Sequence, residues 1–336
     1  MIPKTMHGVA LEGHGGLEQL RYREDLPVPR PAPGEVLVQI AAAAINNTDI
    51  NLRTGWYSKA GAQDAGWGGN SVSFPRIQGA DACGRIVEVG TGVNAARVGE
   101  RVIVNPLFSP ECYFGSDCDG AFAQFAVVPL ANACRIESPL TDVELASFPC
   151  SYSTAENLLT RAQVTAGETV LVTGSSGGVG SAVVQLAKRR GARVVAITSE
   201  DKHAALESLG ADQVLARDAN LAAALGRESV HVVIDVVGGT QFPALLDVVR
   251  RGGRYAASGA IAGPIVDLDL RTLYLKDLSL FGCTQLEPQV FANLVRYIER
   301  AEIEPLVAAT FPLREIAAAQ TAFLSKTHVG KIVLLC

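Results

Sequence analysis

Three glycines, Gly174, Gly177 and Gly180, have the spacing of a turn that can hold a diphosphate. A β-branched run, 169–173, precedes them and an apolar-periodic segment, 179–190, follows them. The glycines therefore lie between a predicted strand and a predicted helix, where they permit a tight turn and a close approach of the backbone to phosphate oxygens. The unpaired N–H groups that begin the helix favour the anion. We expect a dinucleotide to contact Gly174, Ser175, Ser176, Gly177, Gly178, Val179 and Gly180; a plain glycine-rich turn is the alternative.

The end of the next predicted strand decides which dinucleotide fits. NAD sites usually place an acidic side chain there, to bond the ribose hydroxyls. This chain has the neutral Thr198 and Ser199, and Lys202 could pair with a 2′-phosphate. These residues favour NADPH over NADH, although Glu200 or Asp201 could turn inward instead.

The elements around this turn alternate between strand and helix. Such alternation predicts an α/β fold with a parallel, doubly wound sheet. The predicted strands are 169–173, 193–198, 230–237, 253–258 and 278–281, with helices at 179–190 and 202–209. The first part of the chain instead has short strands with Gly and Pro between them, which predicts a β-rich, barrel-like unit. Those strands are 35–44, 84–89, 101–104 and 122–128. Segment 55–73 reads as a long surface loop that borders a binding site or is disordered.

Composition excludes several classes of function. The net charge of −5 and the scattered basic residues argue against nucleic-acid binding. No apolar run has the length of a membrane span, and the amino terminus lacks a signal-peptide core. Seven irregularly spaced cysteines do not suggest a disulfide framework. We expect a cytoplasmic protein with reduced thiols and no membrane or nucleic-acid partner.

Short motifs that extend along nearly the whole chain point to one family. They are PGEVLV (33–38), INNTD (45–49), RTGWY (53–57), GADACG (79–84), FPCSYSTA (148–155), GAD (210–212), DVVGG (235–239) and GKIVL (330–334). With these motifs the chain resembles the medium-chain dehydrogenase/reductase superfamily, and within it the zinc-free quinone oxidoreductase branch. The resemblance implies a GroES-like β-rich catalytic domain, 1–137 and 288–336, and a central Rossmann domain, 138–287. It also implies an active site in the interdomain cleft and a homodimer joined through the Rossmann sheets near 278–283.

The resemblance also bears on zinc. Relatives that bind zinc carry Cys-His-Thr-Asp where this chain has residues 46–49, Asn-Asn-Thr-Asp. They carry Gly-His-Glu at 79–81, where this chain has Gly-Ala-Asp, and only the third ligand position, Cys150, keeps a thiol. A catalytic zinc needs three protein ligands. We therefore predict no zinc, and we interpret Cys112 and Cys118, in the region of the missing four-cysteine lobe, as ordinary loop thiols.

Three candidate catalytic residues follow from the same correspondence. The amide of Asn46 could donate to a substrate carbonyl, or it could satisfy the local backbone. The hydroxyl of Thr48, a proton relay in zinc-bearing relatives, is expected to bond the substrate or the nicotinamide ribose. Tyr57 could cover the substrate, or it could pack over Trp56 or Trp67. Asp49 and Asp81 are expected to organise the cleft rather than to act as bases.

Family correspondence adds further cofactor-binding candidates outside the glycine turn. Many relatives have a tyrosine near the adenosine phosphate where this chain has Ala216 and Arg217, so Arg217 could replace it. The added residues are Asn47, Thr154, Val237, Gly259, Phe281, Cys283 and Lys331.

The predicted reaction is hydride transfer from NADPH to a small electrophile, a quinone or an α,β-unsaturated carbonyl compound. Without zinc, polarisation of a simple ketone is harder, whereas a conjugated acceptor delocalises the arriving charge. The alternatives are a metal-free NADP-dependent alcohol or aldehyde reductase, a non-catalytic NADPH-binding scaffold protein, and a zinc alcohol dehydrogenase.

Overall fold

The computed structural model describes residues 2–58, 65–69 and 71–336, so residues 59–64 and 70 of the predicted loop 55–73 lie outside the described residues. The described residues form eighteen strands and ten α-helices. The strands are Thr5–Leu11 (β1), Leu20–Pro27 (β2), Glu35–Ala44 (β3), Arg76–Ile77 (β4), Cys83–Val89 (β5), Arg101–Val104 (β6), Leu107–Ser109 (β7), Cys112–Tyr113 (β8), Phe125–Pro129 (β9), Ala133–Arg135 (β10), Thr169–Val172 (β11), Arg193–Thr198 (β12), Gln213–Ala216 (β13), Val230–Asp235 (β14), Val249–Ala257 (β15), Ser279–Gly282 (β16), Val307–Pro312 (β17) and Lys331–Leu335 (β18). The helices are Asn47–Thr54 (α1), Asp142–Ala146 (α2), Pro149–Arg161 (α3), Gly178–Arg189 (α4), His203–Ser208 (α5), Leu221–Leu225 (α6), Phe242–Val248 (α7), Leu270–Leu275 (α8), Val290–Glu299 (α9) and Ile316–Ser325 (α10).

The chain divides into two compact units. The first, the β-rich unit, comprises Met1–Cys150, Ile298–Arg300 and Glu304–Cys336; the second, the α/β unit, comprises Ser151–Tyr297 and Ala301–Ile303. These bounds differ from the predicted 1–137, 138–287 and 288–336. The first bound moves because α2 packs against β3, β5 and β18 of the β-rich unit. The second moves because most of α9 belongs to the α/β unit, where Tyr297 and Asn293 donate hydrogen bonds to Glu156 of α3.

The α/β unit contains one six-stranded parallel sheet. Its strand order is β13-β12-β11-β14-β15-β16, so the order reverses between β11 and β14. Strands β11, β12 and β14 are almost continuously apolar and buried, as expected for strands covered on both faces. The topology confirms the predicted doubly wound sheet, and the strand–glycine turn–helix pattern lies at β11 and α4.

The β-rich unit contains a seven-stranded mixed sheet and a smaller three-stranded sheet. The order in the larger sheet is β10-β6-β5-β3-β18-β17, with β9 also paired to β3, and only β17 and β18 run parallel. The smaller sheet has the order β2-β1-β4. Strands β1 and β2 were not predicted from the sequence pattern. Strand β2 is mostly exposed and carries four charged residues, so it shows little of the apolar alternation by which strands are recognised.

The register of the larger sheet brings together three segments that are distant in sequence, at the carboxyl end of β3. Strand β3 is antiparallel to both β5 and β18, and Ala44 at its end pairs with Val333 while Ala42 pairs with Cys83. The second residue after β3 therefore lies near the first residue of β18 and the second residue before β5. Those three positions hold Asn46, Lys331 and Asp81.

Candidate active site and dinucleotide-binding turn

A buried polar cluster connects Asn46, Asp81 and Lys331. The ammonium of Lys331 donates to the amide oxygen of Asn46 and lies 2.8 Å from Oδ2 of Asp81. The amide nitrogen of Asn46 donates to the same Asp81 oxygen at 2.9 Å and to the carbonyl of Ala44 at 3.3 Å. Both amide hydrogens of Asn46 are thus in use, so the side chain holds Asp81 and Lys331 in place.

Asp49 fixes the start of α1 beneath this cluster. Its carboxylate accepts from the backbone N–H of Asn46 at 2.7 Å and from that of Gly79 at 3.2 Å. Burial raises the pKa of Asp49 from 3.8 to about 7; the N–H of Asn46 and the charge of Lys331 oppose the shift, and the charge of Asp81 adds to it. The two bonds support the expectation that Asp49 organises this region.

Cys150 is bonded to the cluster through its backbone. Its N–H donates to Oδ1 of Asp81 at 2.6 Å, and its sulfur lies 3.0 Å from the hydroxyl of Tyr113. Burial raises the pKa of the Cys150 thiol to about 12, and the charge of Asp81 contributes, so the thiol stays protonated. Tyr113 has no recognisable signal in the sequence, because nothing in the local pattern of β8 indicates its distant partner, Cys150.

Thr48 and Tyr57 are the two candidates that carry hydroxyl groups. Thr48 Oγ1 is buried and has no hydrogen-bond partner among the described residues. The hydroxyl of Tyr57 accepts a long bond, 3.5 Å, from the amide of Asn51, and burial raises the pKa of Tyr57 above its usual value. Trp67, one expected partner of Tyr57, stacks on Tyr113 with ring centroids 4.6 Å apart.

The cluster does not fit a zinc ion. At the three positions where zinc-binding relatives carry ligands, the amide oxygen of Asn46 accepts from an ammonium group and Ala80 has no donor atom, so only Cys150 offers a side chain that could bind zinc. Within residues 2–58, 65–69 and 71–336, no group of three or more His, Cys, Asp or Glu side chains could hold a metal ion. Cys112 and Cys118 are free thiols whose sulfurs lie 3.4 Å apart.

The glycine turn fits a diphosphate. A Cβ on Gly180 would lie 2.2 Å from the carbonyl oxygen of Gly174, so only glycine permits this approach of helix to turn. A Cβ on Gly177 would meet only the Gly174 oxygen, at 3.5 Å, so there is open space above it. Helix α4 begins at Gly178 with no side-chain cap, which leaves its first N–H groups to a ligand. The side chain of Ser175 holds the turn against the sheet: its hydroxyl donates to the carbonyl oxygen of Val172 and accepts from the N–H of Ile197.

The end of β12 fits a phosphorylated ribose. Thr198 Oγ1 is buried and has no partner among the described residues, so it could donate to a ligand. Asp201 is exposed, and a hydrogen bond from the side chain of Ser199 holds its pKa below the usual value. Burial lowers the pKa of Lys202; the negative charge of Asp201 opposes the shift, and the positive charge of Arg217 adds to it. Lys202 and Arg217 are thus close enough to interact, and two neighbouring cations suit a 2′-phosphate.

The remaining cofactor candidates divide between the two units. Val237, Gly259 and Cys283 follow the carboxyl ends of β14, β15 and β16, at the same sheet edge as the glycine turn, and Phe281 lies within β16. Thr154 lies on α3. In the β-rich unit, Asn47 is exposed and accepts from the ammonium of Lys326 at 3.1 Å, and Lys331 is bonded as described above.

Comparison with known families matches both parts of the chain. A family described as "Alcohol dehydrogenase GroES-like domain" matches residues 32–138, and one described as "Zinc-binding dehydrogenase" matches residues 178–300. The first match agrees with the predicted GroES-like domain and confirms that part of the fold. Among the described residues, no helix is both long enough and apolar enough to cross a membrane.

Individual relatives align over almost their whole length. The chain is 30% identical to acryloyl-coenzyme A reductase of Metallosphaera sedula, over 98% of this chain and 99% of that protein. It is 29% identical to quinone oxidoreductase of Rattus norvegicus, over 99% and 98%.

Solved structures share the fold at full length. A putative alcohol dehydrogenase from Sinorhizobium meliloti 1021 superposes with a TM-score of 0.93 at 47% identity, over 99% of this chain and 97% of that chain. The 2-octenoyl-CoA carboxylase reductase CinF, solved in complex with NADP and 2-octenoyl-CoA, superposes with a TM-score of 0.87 at 27% identity, over 100% and 88%.

Proposed function

The chain belongs to the medium-chain dehydrogenase/reductase superfamily, and from this premise we propose that it is a zinc-independent, NADPH-dependent reductase of quinones or α,β-unsaturated carbonyl compounds. The observation that carries the proposal is the buried cluster of Asn46, Asp81 and Lys331. Its ammonium group and bonded amide use the atoms that would otherwise be available to a metal. Chemistry at this site then depends on hydrogen-bond donors.

NADPH, when bound, supplies the hydride. We assign the backbone N–H groups at the start of α4 to the diphosphate, and Lys202 with Arg217 to the 2′-phosphate. The hydroxyls of Thr48 and Tyr57 donate to the carbonyl oxygen of the acceptor and stabilise the charge that develops there. Asn46 acts as a positioning residue, because both hydrogens of its amide already bond Ala44 and Asp81.

The substrate class follows from the strength of these donors. A zinc ion stabilises a developing oxyanion by several kcal/mol, and two neutral hydroxyls stabilise it less. A quinone or an enone needs less help because conjugation spreads the incoming charge. The printed names of relatives support this class, since acryloyl-CoA is an α,β-unsaturated thioester and quinones are conjugated diketones. The NADP bound in CinF supports the choice of cofactor.

We also propose a homodimer that forms through the α/β unit. Strand β16 is the outermost strand of its sheet, so one of its edges is unpaired. This strand and the segment of chain that leads into it expose large apolar side chains that a second copy of the chain would cover. These side chains are Ile265, Leu270, Tyr274, Leu275 and Leu280. All seven cysteines lie within the described residues and are free, which supports a reducing, cytoplasmic location.

The purified protein should oxidise NADPH in the presence of quinones, enones or enoyl thioesters, and a chelator should leave the rate unchanged. Turnover of simple aldehydes or alcohols alone would instead favour the alcohol or aldehyde reductase alternative. Tight NADPH binding without consumption across the whole panel would favour the scaffold alternative. Loss of activity with a chelator, restored by zinc, would overturn the proposal.

A further inference from the structure

Asp235 is a fully buried carboxylate at the carboxyl end of β14. One oxygen accepts hydrogen bonds from the hydroxyl of Thr173, from the N–H of Val237 at 2.8 Å and from the N–H of Gly238 at 3.1 Å. The other oxygen accepts from the hydroxyl of Tyr255 at 2.6 Å. One side chain therefore ties the ends of β11, β14 and β15 together.

The bonds continue from Asp235 into the glycine turn. The hydroxyl of Thr173, which donates to Asp235, also accepts from the N–H of Val236 at 3.1 Å. Thr173 directly precedes Gly174, and a Cβ on Gly174 would lie 3.0 Å from a methyl of Val237 and 3.1 Å from one of Val236. The glycine turn and the loop after β14 are thus in contact and are held by the same carboxylate.

These two loops follow β11 and β14, the neighbouring strands between which the sheet order reverses. Ligands of open α/β sheets bind at such a point, beyond the carboxyl ends of the strands. The backbone groups that would contact a dinucleotide therefore belong to segments whose positions depend on Asp235. Displacement of these backbone N–H groups would weaken their hydrogen bonds to a dinucleotide, because a hydrogen bond depends steeply on distance and angle.

We propose that Asp235 is a positioning residue for the dinucleotide, acting through Thr173 on the glycine turn and through the N–H groups of Val237 and Gly238 on the loop after β14. The inference rests on the proposed function. An alanine at 235 leaves four donors without their acceptor. An asparagine keeps an oxygen that can accept from Thr173, Val237 and Gly238, and its amide can donate to the oxygen of Tyr255.

The test measures the Kd for NADPH by fluorescence titration, with Tm recorded for each variant. Asp235→Ala should raise the Kd at least about tenfold, equivalent to about 1.4 kcal/mol, whereas Asp235→Asn should stay within about threefold. Thr173→Val removes only the bridging hydroxyl and should raise the Kd about fivefold, while Thr173→Ser should bind like the wild type. The threonine pair keeps the test decisive if Asp235→Ala does not fold.

Tyr297→Phe is the matched control, because Tyr297 also donates its hydroxyl to a buried carboxylate of the α/β unit, that of Glu156. It should lower Tm without changing the Kd. In turnover assays Asp235→Ala and Thr173→Val should raise the KM for NADPH with little change in kcat at saturating NADPH, whereas Asp235→Asn and Thr173→Ser should keep a KM close to that of the wild type. The inference is overturned if folded Thr173→Val binds as tightly as the wild type, or if Tyr297→Phe weakens binding equally. If the wild type binds no dinucleotide at all, the proposed function itself fails, and this inference with it.

Discussion

The ammonium of Lys331 lies 2.8 Å from a carboxylate oxygen of Asp81, and the two side chains are only 3% and 0% exposed. Residues 250 positions apart in the chain form this pair, 331 minus 81, within a network that also includes Asn46. A buried ion pair is strongly interdependent, because removal of one partner leaves the other charge uncompensated.

Lys331→Met should therefore lower the free energy of unfolding by about 3–5 kcal/mol. The double variant with Asp81→Asn should recover a large part of that loss, since it removes both charges. Lys188→Met is the surface control: Lys188 pairs with Asp212 at 2.9 Å, but both side chains are 35% exposed, so the loss should be about 1 kcal/mol or less. Urea unfolding gives the free energy of unfolding of the wild type and of the three variants. A loss with Lys331→Met no larger than that with Lys188→Met would contradict the prediction.

The free energy of unfolding should depend on pH through the titration of the Asp49 carboxyl group. Folding raises the pKa of Asp49 from 3.8 to about 7, mainly through burial. Between pH ~4 and ~7 the folded chain thus keeps a proton that the unfolded chain has lost, and stability falls as the pH rises, by up to about 1.4 kcal/mol per unit. Asp49→Asn should remove this component. Unfolding free energies measured from pH 4.5 to 7.5 would refute the assignment if wild type and variant had parallel profiles.

Lys202→Ala should weaken NADPH much more than NADH. Loss of a charged hydrogen bond to the 2′-phosphate predicts an increase of about tenfold or more in the Kd for NADPH. NADH lacks that phosphate, so its Kd should change less than about threefold. Lys188→Ala, in the same unit and on the surface, should change neither value. Equal effects of Lys202→Ala on both dinucleotides would remove the reason for preferring NADPH.

Gly177→Val should abolish dinucleotide binding and leave the fold intact. The backbone at Gly177, with φ −76° and ψ 171°, suits a valine, and a Cβ there would meet only one atom, at 3.5 Å. The added methyl groups would fill the space that the diphosphate needs. Gly13→Val is the matched control, since a Cβ at Gly13 would also meet only one atom at 3.5 Å, but in the β-rich unit. Titration with NADPH measures binding, and Tm shows whether each variant is folded. If Gly177→Val still binds NADPH, the phosphates lie elsewhere.

Leu280→Asp should convert a dimer to a monomer. Leu280 lies on the edge strand β16 and is 37% exposed, among the apolar side chains proposed to form the interface. A charge at this position would be desolvated in the dimer without a partner. Leu324→Asp, on α10 and 44% exposed, is the control and should remain dimeric. Light scattering after size-exclusion chromatography gives the mass, and a wild type that is monomeric would rule out the proposed interface.

Local patterns predicted the α/β unit well. The glycine turn depends on residues adjacent in sequence, on the conformational freedom of glycine and on the apolar period of strand and helix, so 169–173 and 179–190 anticipated β11 and α4 to within a residue. The boundaries between the two units have no such local signal, because the attachment of α2 and α9 depends on packing.

The β-rich unit illustrates what sequence reasoning could not reach. Correspondence with relatives made Asn46 a candidate donor to substrate, with a local backbone role as the alternative, and made Lys331 a candidate for cofactor binding. In the structure the two side chains bond each other and Asp81, and Tyr113 joins them through Cys150.

The sequence by itself determined that a glycine-rich turn links a buried strand to a helix, and that Asn46 and Ala80 occupy positions where zinc-bearing relatives carry Cys and His. Both are properties of residue type and of near neighbours in the chain. Only the tertiary structure decided which hydrogen bonds those residues make. The antiparallel register of β3 with β5 and β18 brings positions 46, 81 and 331 within bonding distance, and register is a property of the whole sheet.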